Sequence, residues 1–427
     1  MSPRGHAQDR SILILGGNPE TGAIVDVANA MGLHTVVVDP YPGAPAKRRA
    51  RRAYDLDVKD FAAIDRVVAD EHITGILVGV ADPLVPYYQQ LCERHGMPCY
   101  ANPRSVAALT SKSGFIAACR QHGIPTTPTF DVDPSDAHSV ASLPYPVVVK
   151  PTDCGAGVGV SVCHDAGEFA TGVALALAAS PRRQLVIERF MRCDDMFAYY
   201  TFVDGHAYLS AAADRHKAAD QAGSPVCIAA EYPSKHLDRF LQTVHPALLR
   251  MFADLQIRNA VLLIQFFVDA DGFYAYDPGF RLQGEAPHLY LKHLHGFDQR
   301  EMLLDLAMTG TMYRGAFGEV NDPRFKGQHA TTVWALLRAG RIGRVSGLQR
   351  IAEHPDTLTV LQRLREGDVV TPQMTGTERQ VLARIYTLSP NRRASVEQVR
   401  FIRDNLSVVD EHGDDMLLAM YNPATQP

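Results

Sequence analysis

The sequence lacks several features that mark whole classes of proteins. No stretch approaches the roughly 18 consecutive apolar residues that a membrane-spanning helix needs. The formal net charge is only −5, which argues against a nucleic-acid-binding surface as the main function. The first ten residues, MSPRGHAQDR, have no apolar core of the kind found in signal peptides. Neither a membrane nor a nucleic acid is therefore expected as a partner.

Cysteine pairs are also missing. The seven cysteines are scattered, their number is odd, and none of them forms a C-x-x-C pair. A disulfide framework or a cysteine-rich zinc site would require regular spacing of these residues. The pattern favours free thiols in a reducing compartment, so a cytoplasmic protein is predicted.

What is present is a chain of 427 residues, which is too long for one core and predicts about two to four domains. Strand and helix patterns alternate up to about residue 107, beginning with a buried strand at 11–16 and a helix at 21–31. A short strand is predicted at 97–100. This alternation predicts a doubly wound parallel sheet. Further along the chain, the patterns predict one long amphipathic helix at 237–255 and two hairpins, one pairing 197–203 with 206–211 and one pairing 260–268 with 272–276.

The most informative stretch is residues 147–162, VVVKPTDCGAGVGVSV. Two β-branched runs flank a glycine-rich tip, which predicts a hairpin. Lys150 precedes the tip, where a cation and exposed backbone N–H groups would suit a phosphate. Glycine-rich turns without a ligand are equally common. The segment is not a Walker A loop, because no Gly-Lys-Ser/Thr follows, and it is not a dinucleotide fingerprint, because a strand follows.

A dinucleotide site elsewhere is a weaker alternative. Asp39 follows the second predicted strand, where a ribose-binding acid would lie in such a site. The preceding turn, GGNPETG, matches the dinucleotide fingerprint poorly, and Glu20 would bring a negative charge near a pyrophosphate.

Charged residues recur along the chain in a distinctive order: Lys112, Lys150, Glu188, Asp195, Arg215, Lys217, Asp277 and Arg281. Together with the runs ILILGG, VVVDPYPGAPA, AYDLD, VIERFM and YDPGFRLQG, this order resembles the ATP-grasp superfamily of carboxylate–amine ligases. The nearest resemblance is to its biotin-carboxylase-like and carbamoyl-phosphate-synthase-like branch.

The resemblance implies an ATP-grasp fold that combines α/β and α+β parts. It implies an N-terminal doubly wound parallel sheet, a mobile glycine-rich lid and a small C-terminal β-rich domain. The expected divisions are an N-terminal Rossmann-like domain, an ATP-grasp lid subdomain, an ATP-grasp core subdomain and a C-terminal domain packed on the core, at 1–109, 110–190, 191–330 and 331–427.

The resemblance also implies roles for individual residues in binding ATP. Lys112 and Lys150 match the two lysines that contact the ATP phosphates, and Asp195 matches the acid on the ribose hydroxyls. Glu188 matches the acid that faces the adenine amino group. The remaining nucleotide-binding positions are the lid glycines, two residues with backbone contacts and one further lysine: Gly155, Gly157, Gly159, Arg189, Met191 and Lys217.

The catalytic and metal positions depart from the family pattern. Asp277-x-Gly279-x-Arg281 matches the usual Glu-x-Asn-x-Arg, in which the acid binds Mg²⁺ and the arginine stabilises an acyl phosphate. Gln265 stands where a metal-binding Glu is usual, and Glu285 could supply the missing carboxylate. Lys150 and Arg215 are expected beside Arg281 among the catalytic residues.

The implied chemistry explains these residue types. Transfer of the γ-phosphoryl group to a carboxylate brings anions together, so lysines, arginine and Mg²⁺ must offset their repulsion. Mg²⁺ prefers oxygen ligands, and an arginine fork suits a carboxylate or an acyl phosphate. A structural ion pair between Asp277 and Arg281 is the simpler alternative.

The predicted function is an ATP- and Mg²⁺-dependent ligase that forms an amide or peptide bond through an acyl phosphate and releases ADP and phosphate. Small-molecule carboxylate and amine substrates are expected, with an amino acid as the implied class, and a homodimer is left open. Two alternatives remain: a carboxylase that uses bicarbonate, and a non-catalytic nucleotide-binding protein. His288, His293 and His295 are expected at the surface or in the substrate pocket, because their spacing is not that of a metal site.

Overall fold

A parallel four-stranded sheet begins the chain. The computed structural model describes residues 10–152, 158–191, 193–218 and 226–423. The sheet has the order β3-β2-β1-β4, and all its neighbours are parallel. Its elements are β1 (Ser11–Leu15), α1 (Pro19–Ala30), β2 (His34–Val38), β3 (Arg52–Tyr54), α2 (Phe61–Asp70), β4 (Ile73–Val78) and α3 (Val85–His95).

Local chemistry explains these boundaries. All five residues of β1 are buried, as a strand covered on both faces requires. Asn18 caps α1 by accepting a hydrogen bond from the Thr21 N–H at 2.8 Å, and Pro19 occupies the first turn. The predicted strand at 97–100 is wrong. That segment joins no sheet, and the Tyr100 N–H donates to the Tyr88 hydroxyl at 3.2 Å instead.

A second, antiparallel sheet follows, with the order β5-β8-β6-β7. It has its own small apolar core, which includes Val149, Phe169 and Ile187. The elements of this part are α4 (Pro103–Leu109), α5 (Lys112–Gln121), β5 (Thr129–Phe130), α6 (Ala137–Ala141), β6 (Val147–Pro151), β7 (Ser161–Cys163), α7 (Ala166–Ala179) and β8 (Leu185–Arg189).

The predicted hairpin around the glycine-rich stretch is confirmed, since β6 and β7 pair in antiparallel fashion. The second strand begins at Ser161. Gly155 and Gly157 lie outside the described residues. Gly159 has a φ of +72°, and a Cβ there would lie 2.7 Å from the Ala179 Cβ. Both the backbone conformation and the packing therefore require glycine at this position.

The central part of the chain forms two long hairpins, β9–β10 and β12–β13, as the sequence predicts. The elements are β9 (Asp194–Val203), β10 (His206–Lys217), β11 (Cys227–Tyr232), α8 (Leu237–Thr243), α9 (His245–Asp254), β12 (Ala260–Val268), β13 (Phe273–Gly279), α10 (His288–His295), α11 (Gln299–Thr309) and α12 (Phe317–Val320). The single helix predicted at 237–255 is wrong. Pro246 starts a separate helix, because proline is tolerated only in the first turn.

The last part of the chain continues the same sheet. Its elements are β14 (His329–Leu337), β15 (Gly340–Ser346), α13 (Leu348–Ala352), β16 (Thr357–Gln362), β17 (Val369–Val370), β18 (Val381–Ser389), α14 (Arg392–Asn405), β19 (Ser407–Asp410) and β20 (Leu417–Ala419). The nine-stranded sheet runs β13-β12-β9-β10-β11-β14-β18-β16, with β20 on β14. The predicted domain divisions stay predictions, and the sheet is continuous across the one at 330.

Two general expectations can be compared with the structure. Among the described residues, no helix combines the length and the apolar character needed to cross a membrane. The six cysteines in the described ranges are all free thiols, as the irregular spacing predicts. Cys154 lies outside those ranges.

Candidate active site

One face of the nine-stranded sheet carries a cluster of charged side chains around Asp195. Its carboxylate accepts hydrogen bonds from Lys217 Nζ at 2.5 Å, the Tyr276 hydroxyl at 3.0 Å and Arg215 Nη1 at 3.4 Å. Arg215 lies opposite Asp195 across the β9–β10 ladder, and Lys217 follows two residues later on the same face. Asp195 is only 6% exposed, so these three donors are what makes its burial tolerable.

A β-bulge brings two consecutive residues of β13 into this cluster. The register shifts so that Gln265 lies opposite Asp277 while Phe266 lies opposite Ala275, which leaves Tyr276 as the extra residue. The Tyr276 hydroxyl donates to Gln265 Oε1 at 2.9 Å, and Gln265 Nε2 donates to Asp277 Oδ2 at 3.2 Å. The Tyr276 ring stacks on Phe267 at 4.2 Å. Strict alternation would have placed Tyr276 and Asp277 on opposite faces.

Asp277 is the point toward which the cations of the site converge. The pKa of its carboxyl is raised to about 6, chiefly by burial; Lys112, Lys150 and Arg281 oppose this rise, and the Asp82 carboxylate adds to it. Lys112 begins α5, Lys150 lies in β6, and Arg281 follows β13. Three separate segments therefore bring positive charge to one carboxylate, and the sequence identified all three cations.

The other predicted nucleotide-binding residues lie at the end of β8. Glu188 is 6% exposed and forms an ion pair with Lys150 at 2.7 Å. The Arg189 N–H donates to the Pro128 carbonyl at 2.9 Å, and its side chain is exposed. Met191 is half-buried just beyond the strand. The roles expected for these residues remain predictions.

Arg281 is bound to a residue that the sequence did not single out. Its Nη2 donates to Asp82 Oδ2 at 2.7 Å, and its Nη1 donates to Gln283 Oε1 at 2.9 Å. Arg281 therefore forms its ion pair with Asp82 and not, as the structural alternative had required, with Asp277. Asp82 follows β4, 199 residues earlier in the chain. The sequence indicates a functional role for Asp82 only through its position, since it is an acidic residue just after a parallel strand.

Glu285 lies in the loop between β13 and α10, and its backbone is held from two sides. Arg384 Nη1 donates to the Gly284 carbonyl, and the Tyr386 hydroxyl donates to the Glu285 carbonyl at 3.1 Å. The Tyr100 hydroxyl donates to the Phe280 carbonyl at 3.0 Å. In the part of the chain that the structure describes, no hydrogen bond joins the Glu285 carboxylate to Gln265 or Asp277. Its charge acts instead on Arg215 and Arg281.

The donor set around Asp277 fits a magnesium ion that arrives with a nucleotide. Within the described ranges, no three Asp, Glu, His or Cys residues are grouped to hold a metal. The Gln265 oxygen is bound by Tyr276, and its amide nitrogen faces Asp277. Mg²⁺ commonly takes one or two protein carboxylates and completes its shell with phosphates and water, which a single Asp277 carboxylate permits.

The three histidines of α10 differ in exposure. His288 and His295 are buried, at 4% and 7% exposure, whereas His293 is exposed. Burial lowers the pKa of His288 to about 3, so its imidazole is neutral. Of the two predicted positions, the surface is excluded for His288 and His295, because the helix turns them toward the core; a position in the substrate pocket stays a prediction.

Residues 111–288 match the family model described as "Carbamoyl-phosphate synthase L chain, ATP binding domain". This range contains Lys112, Lys150, Asp277, Arg281 and Glu285. This range of the chain is therefore an ATP-binding domain of the ATP-grasp type. The resemblance stated from the sequence is thereby confirmed.

Relatives were found both by sequence similarity and by structural similarity. The formate-dependent phosphoribosylglycinamide formyltransferase of Haloquadratum walsbyi is 29% identical over 197 residues, which are 45% of this chain and 49% of that protein. The corresponding enzyme of a Synechococcus species is 27% identical over 190 residues, 43% of this chain and 49% of that protein. The match thus spans about half the length of these relatives.

Among solved structures, the L-amino acid ligase from Bacillus licheniformis superposes with a TM-score of 0.77 at 16% identity, covering 94% of this chain and 99% of that one. The biotin carboxylase domain of the Hydrogenobacter thermophilus 2-oxoglutarate carboxylase, in complex with MgADP and bicarbonate, gives 0.71 at 16% identity, covering 95% and 91%. At these identities the likeness shows the fold alone, and it confirms the predicted ATP-grasp architecture.

Proposed function

We propose that this ATP-grasp protein is an ATP- and Mg²⁺-dependent ligase that joins a small carboxylate to an amine through an acyl phosphate. The observation that carries the proposal is the convergence of Lys112, Lys150 and Arg281 on the Asp277 carboxylate. Phosphoryl transfer between two anions needs this combination of cations and a metal-binding acid.

The proposed reaction proceeds in two steps. A carboxylate oxygen of the substrate attacks the γ-phosphorus, and the bond to the β–γ bridging oxygen breaks, so that ADP leaves. The amine nitrogen then attacks the acyl carbon, phosphate leaves, and the nitrogen loses a proton. Lys112 and Lys150 would bind the ATP phosphates, and Arg281 would bind the carboxylate and then the acyl phosphate. Magnesium, when bound at Asp277, supplies charge that neutralises the phosphate oxygens.

An amino acid is the proposed carboxylate substrate. The overall likeness to an L-amino acid ligase supports this class, and it covers 94% of the chain. A smaller carboxylate is the second candidate, because the sequence relatives are named formate-dependent enzymes and one structural neighbour was solved with bicarbonate. The two candidates differ in whether the substrate carries an ammonium group.

The test is release of ADP and phosphate from ATP and Mg²⁺, measured with the full chain. Separate reactions contain pools of amino acids, formate, or bicarbonate, each with and without an added amine. Release of ADP and phosphate that depends on a carboxylate supports the ligase and identifies the substrate class. Release of AMP and pyrophosphate would contradict the acyl-phosphate mechanism. Tight ATP binding without turnover in any reaction would favour the non-catalytic alternative.

A further inference from the structure

The loop that follows β13 contains two buried atoms of charged groups that have no hydrogen-bond partner among the described residues. These are Arg281 Nε and Glu285 Oε2. They carry opposite charges, and the negative charge of Glu285 raises the pKa of Arg281, so the two groups lie within electrostatic reach. Burial of an ionised atom without a partner is unfavourable, and a structure retains it where a ligand later supplies the partner.

The surrounding cations are already bound to other acids and so do not pair with Glu285. Arg281 donates to Asp82, Arg215 donates to Asp195, and Arg384 donates to Glu378 at 2.6 Å. No salt bridge to Glu285 occurs among the residues that the structure describes. Its carboxylate is therefore available to a small cationic group.

The position of Glu285 is fixed by its backbone. β18 places Arg384 and Tyr386 on one face, two residues apart, and they bind the consecutive carbonyls of Gly284 and Glu285. The Arg384 guanidinium is also held by Glu378 and stacks over Trp334 at 5.6 Å. A carboxylate on such a supported loop is oriented before a ligand arrives, which favours specific recognition.

We infer that Glu285 binds the ammonium group of an amino-acid substrate whose carboxylate is bound by Arg281. An α-amino acid carries both charges on one carbon centre, which matches a neighbouring cation and anion in the same loop. The inference rests on the proposed ligase function and makes the substrate's ammonium group a requirement.

The test compares an amino acid with the same acid lacking its amino group, for example alanine with propionate. ADP release is measured with the best amino acid from the pool and a saturating acceptor amine. For the wild-type protein we expect kcat/KM for the des-amino acid to be at least about 100-fold lower. For Glu285→Gln we expect kcat/KM for the amino acid to fall at least about 30-fold, mainly through KM, and the value for the des-amino acid to change little.

Glu397→Gln is the matched control, because Glu397 lies exposed on α14 and pairs only with Arg393 on the same helix. It should leave both values unchanged. Equal losses with both substrates in Glu285→Gln would overturn the inference but leave the ligase intact. Two results with the wild-type protein alone would also overturn the inference and leave the ligase intact. These are activity with only formate or bicarbonate as the carboxylate, and equal activity with the amino acid and the des-amino acid. Absence of ADP release with every carboxylate would overturn the ligase proposal and this inference together.

Discussion

The candidate site has two halves that differ in how their polar groups are satisfied. In the sheet half, formed by Asp195, Arg215, Lys217, Gln265 and Tyr276, the carboxylate, amide and hydroxyl groups bind one another at 2.5–3.4 Å. In the loop half, residues 279–287, the backbone is firmly held, but no described residue donates a hydrogen bond to Glu285 Oε2.

This difference indicates a division of labour. Interlocked polar groups stabilise the folded protein and fix its geometry, but little of their hydrogen-bonding capacity remains for a ligand. Unpaired charged groups do the reverse, because they reduce stability and offer binding energy to a substrate. Substitutions in the sheet half should therefore affect stability first, and substitutions in the loop half should affect function first.

The largest effect is expected at Asp277, where the two halves meet. Asp277→Asn keeps the size of the side chain but removes the charge that would hold magnesium. We expect kcat to fall about 10²- to 10³-fold, while ATP affinity changes less than about tenfold. Steady-state ADP release and equilibrium ATP binding measure the two quantities.

Asp271→Asn provides the control for this substitution, since Asp271 is exposed in the turn between β12 and β13. Equal losses of turnover and of ATP affinity in Asp277→Asn would argue against a specific role in the reaction. A wild-type protein with no turnover to lose would favour the non-catalytic alternative.

Tyr276→Phe breaks the sheet half at its centre. The Tyr276 hydroxyl is hydrogen-bonded to Asp195 and to Gln265, so its removal leaves the buried Asp195 carboxylate with fewer donors. We expect the free energy of unfolding in urea to fall by about 1–3 kcal/mol. Tyr274→Phe on the same strand is the control, because its hydroxyl makes no hydrogen bond to any described residue. A loss of activity at unchanged stability would contradict the assignment of Tyr276 to the sheet half.

His288→Gln tests a buried group that lies just beyond the loop half. The folded protein keeps His288 neutral down to a pKa of about 3, whereas the unfolded chain binds a proton below its ordinary value of 6.5. Nearby Arg300 and Lys292 contribute to the low pKa, and Asp298 opposes them. The unfolded state thus takes up the proton first, and stability falls as the pH drops from 6.5 toward 3.

The expected slope is about 1.4 kcal/mol per pH unit for one proton. Urea unfolding at pH 7.5 and pH 5.5 should therefore show a larger loss for the wild-type protein than for His288→Gln, by about 1.4 kcal/mol. His293→Gln, on the exposed side of the same helix, should behave like the wild-type protein. Identical pH dependence in all three proteins would mean that His288 is not kept neutral by burial.

The smallest effect on stability is expected from Glu285→Gln in the loop half. This substitution removes a charge that no described residue hydrogen-bonds, so the free energy of unfolding should fall by no more than about 0.5 kcal/mol, or should rise. Urea unfolding without ligands measures it beside Tyr276→Phe. A loss as large as that of Tyr276→Phe would erase the distinction between the two halves.

The sequence predicts much of the architecture, because its local patterns are strong. The apolar run of β1, the hairpins β9–β10 and β12–β13, and the order of Lys112, Lys150, Asp277 and Arg281 are all readable without a structure. A single helix at 237–255 is the wrong prediction because the apolar periodicity continues through Pro246, whereas proline interrupts the helix there.

Two features of the site could not be predicted from local patterns. Tyr276 enters the cluster through a bulge, and a bulge changes the side-chain alternation on which strand predictions depend. Asp82 reaches Arg281 across 199 residues of sequence, a pairing that depends on how two sheets meet. The division of the site into paired and unpaired halves is likewise a property of the assembled fold.

The anchoring of the loop half has a consequence for any attempt to shorten the protein. Residues 111–288 contain both lysines, Asp277, Arg281 and Glu285. The groups that hold the loop, Tyr100, Arg384 and Tyr386, all lie outside this range. A gene fragment limited to 111–288 would encode the charged side chains without the supports that orient them. Under the proposed function, selectivity among carboxylates would thus depend on parts of the gene on both sides of the segment that encodes the substrate-contacting residues.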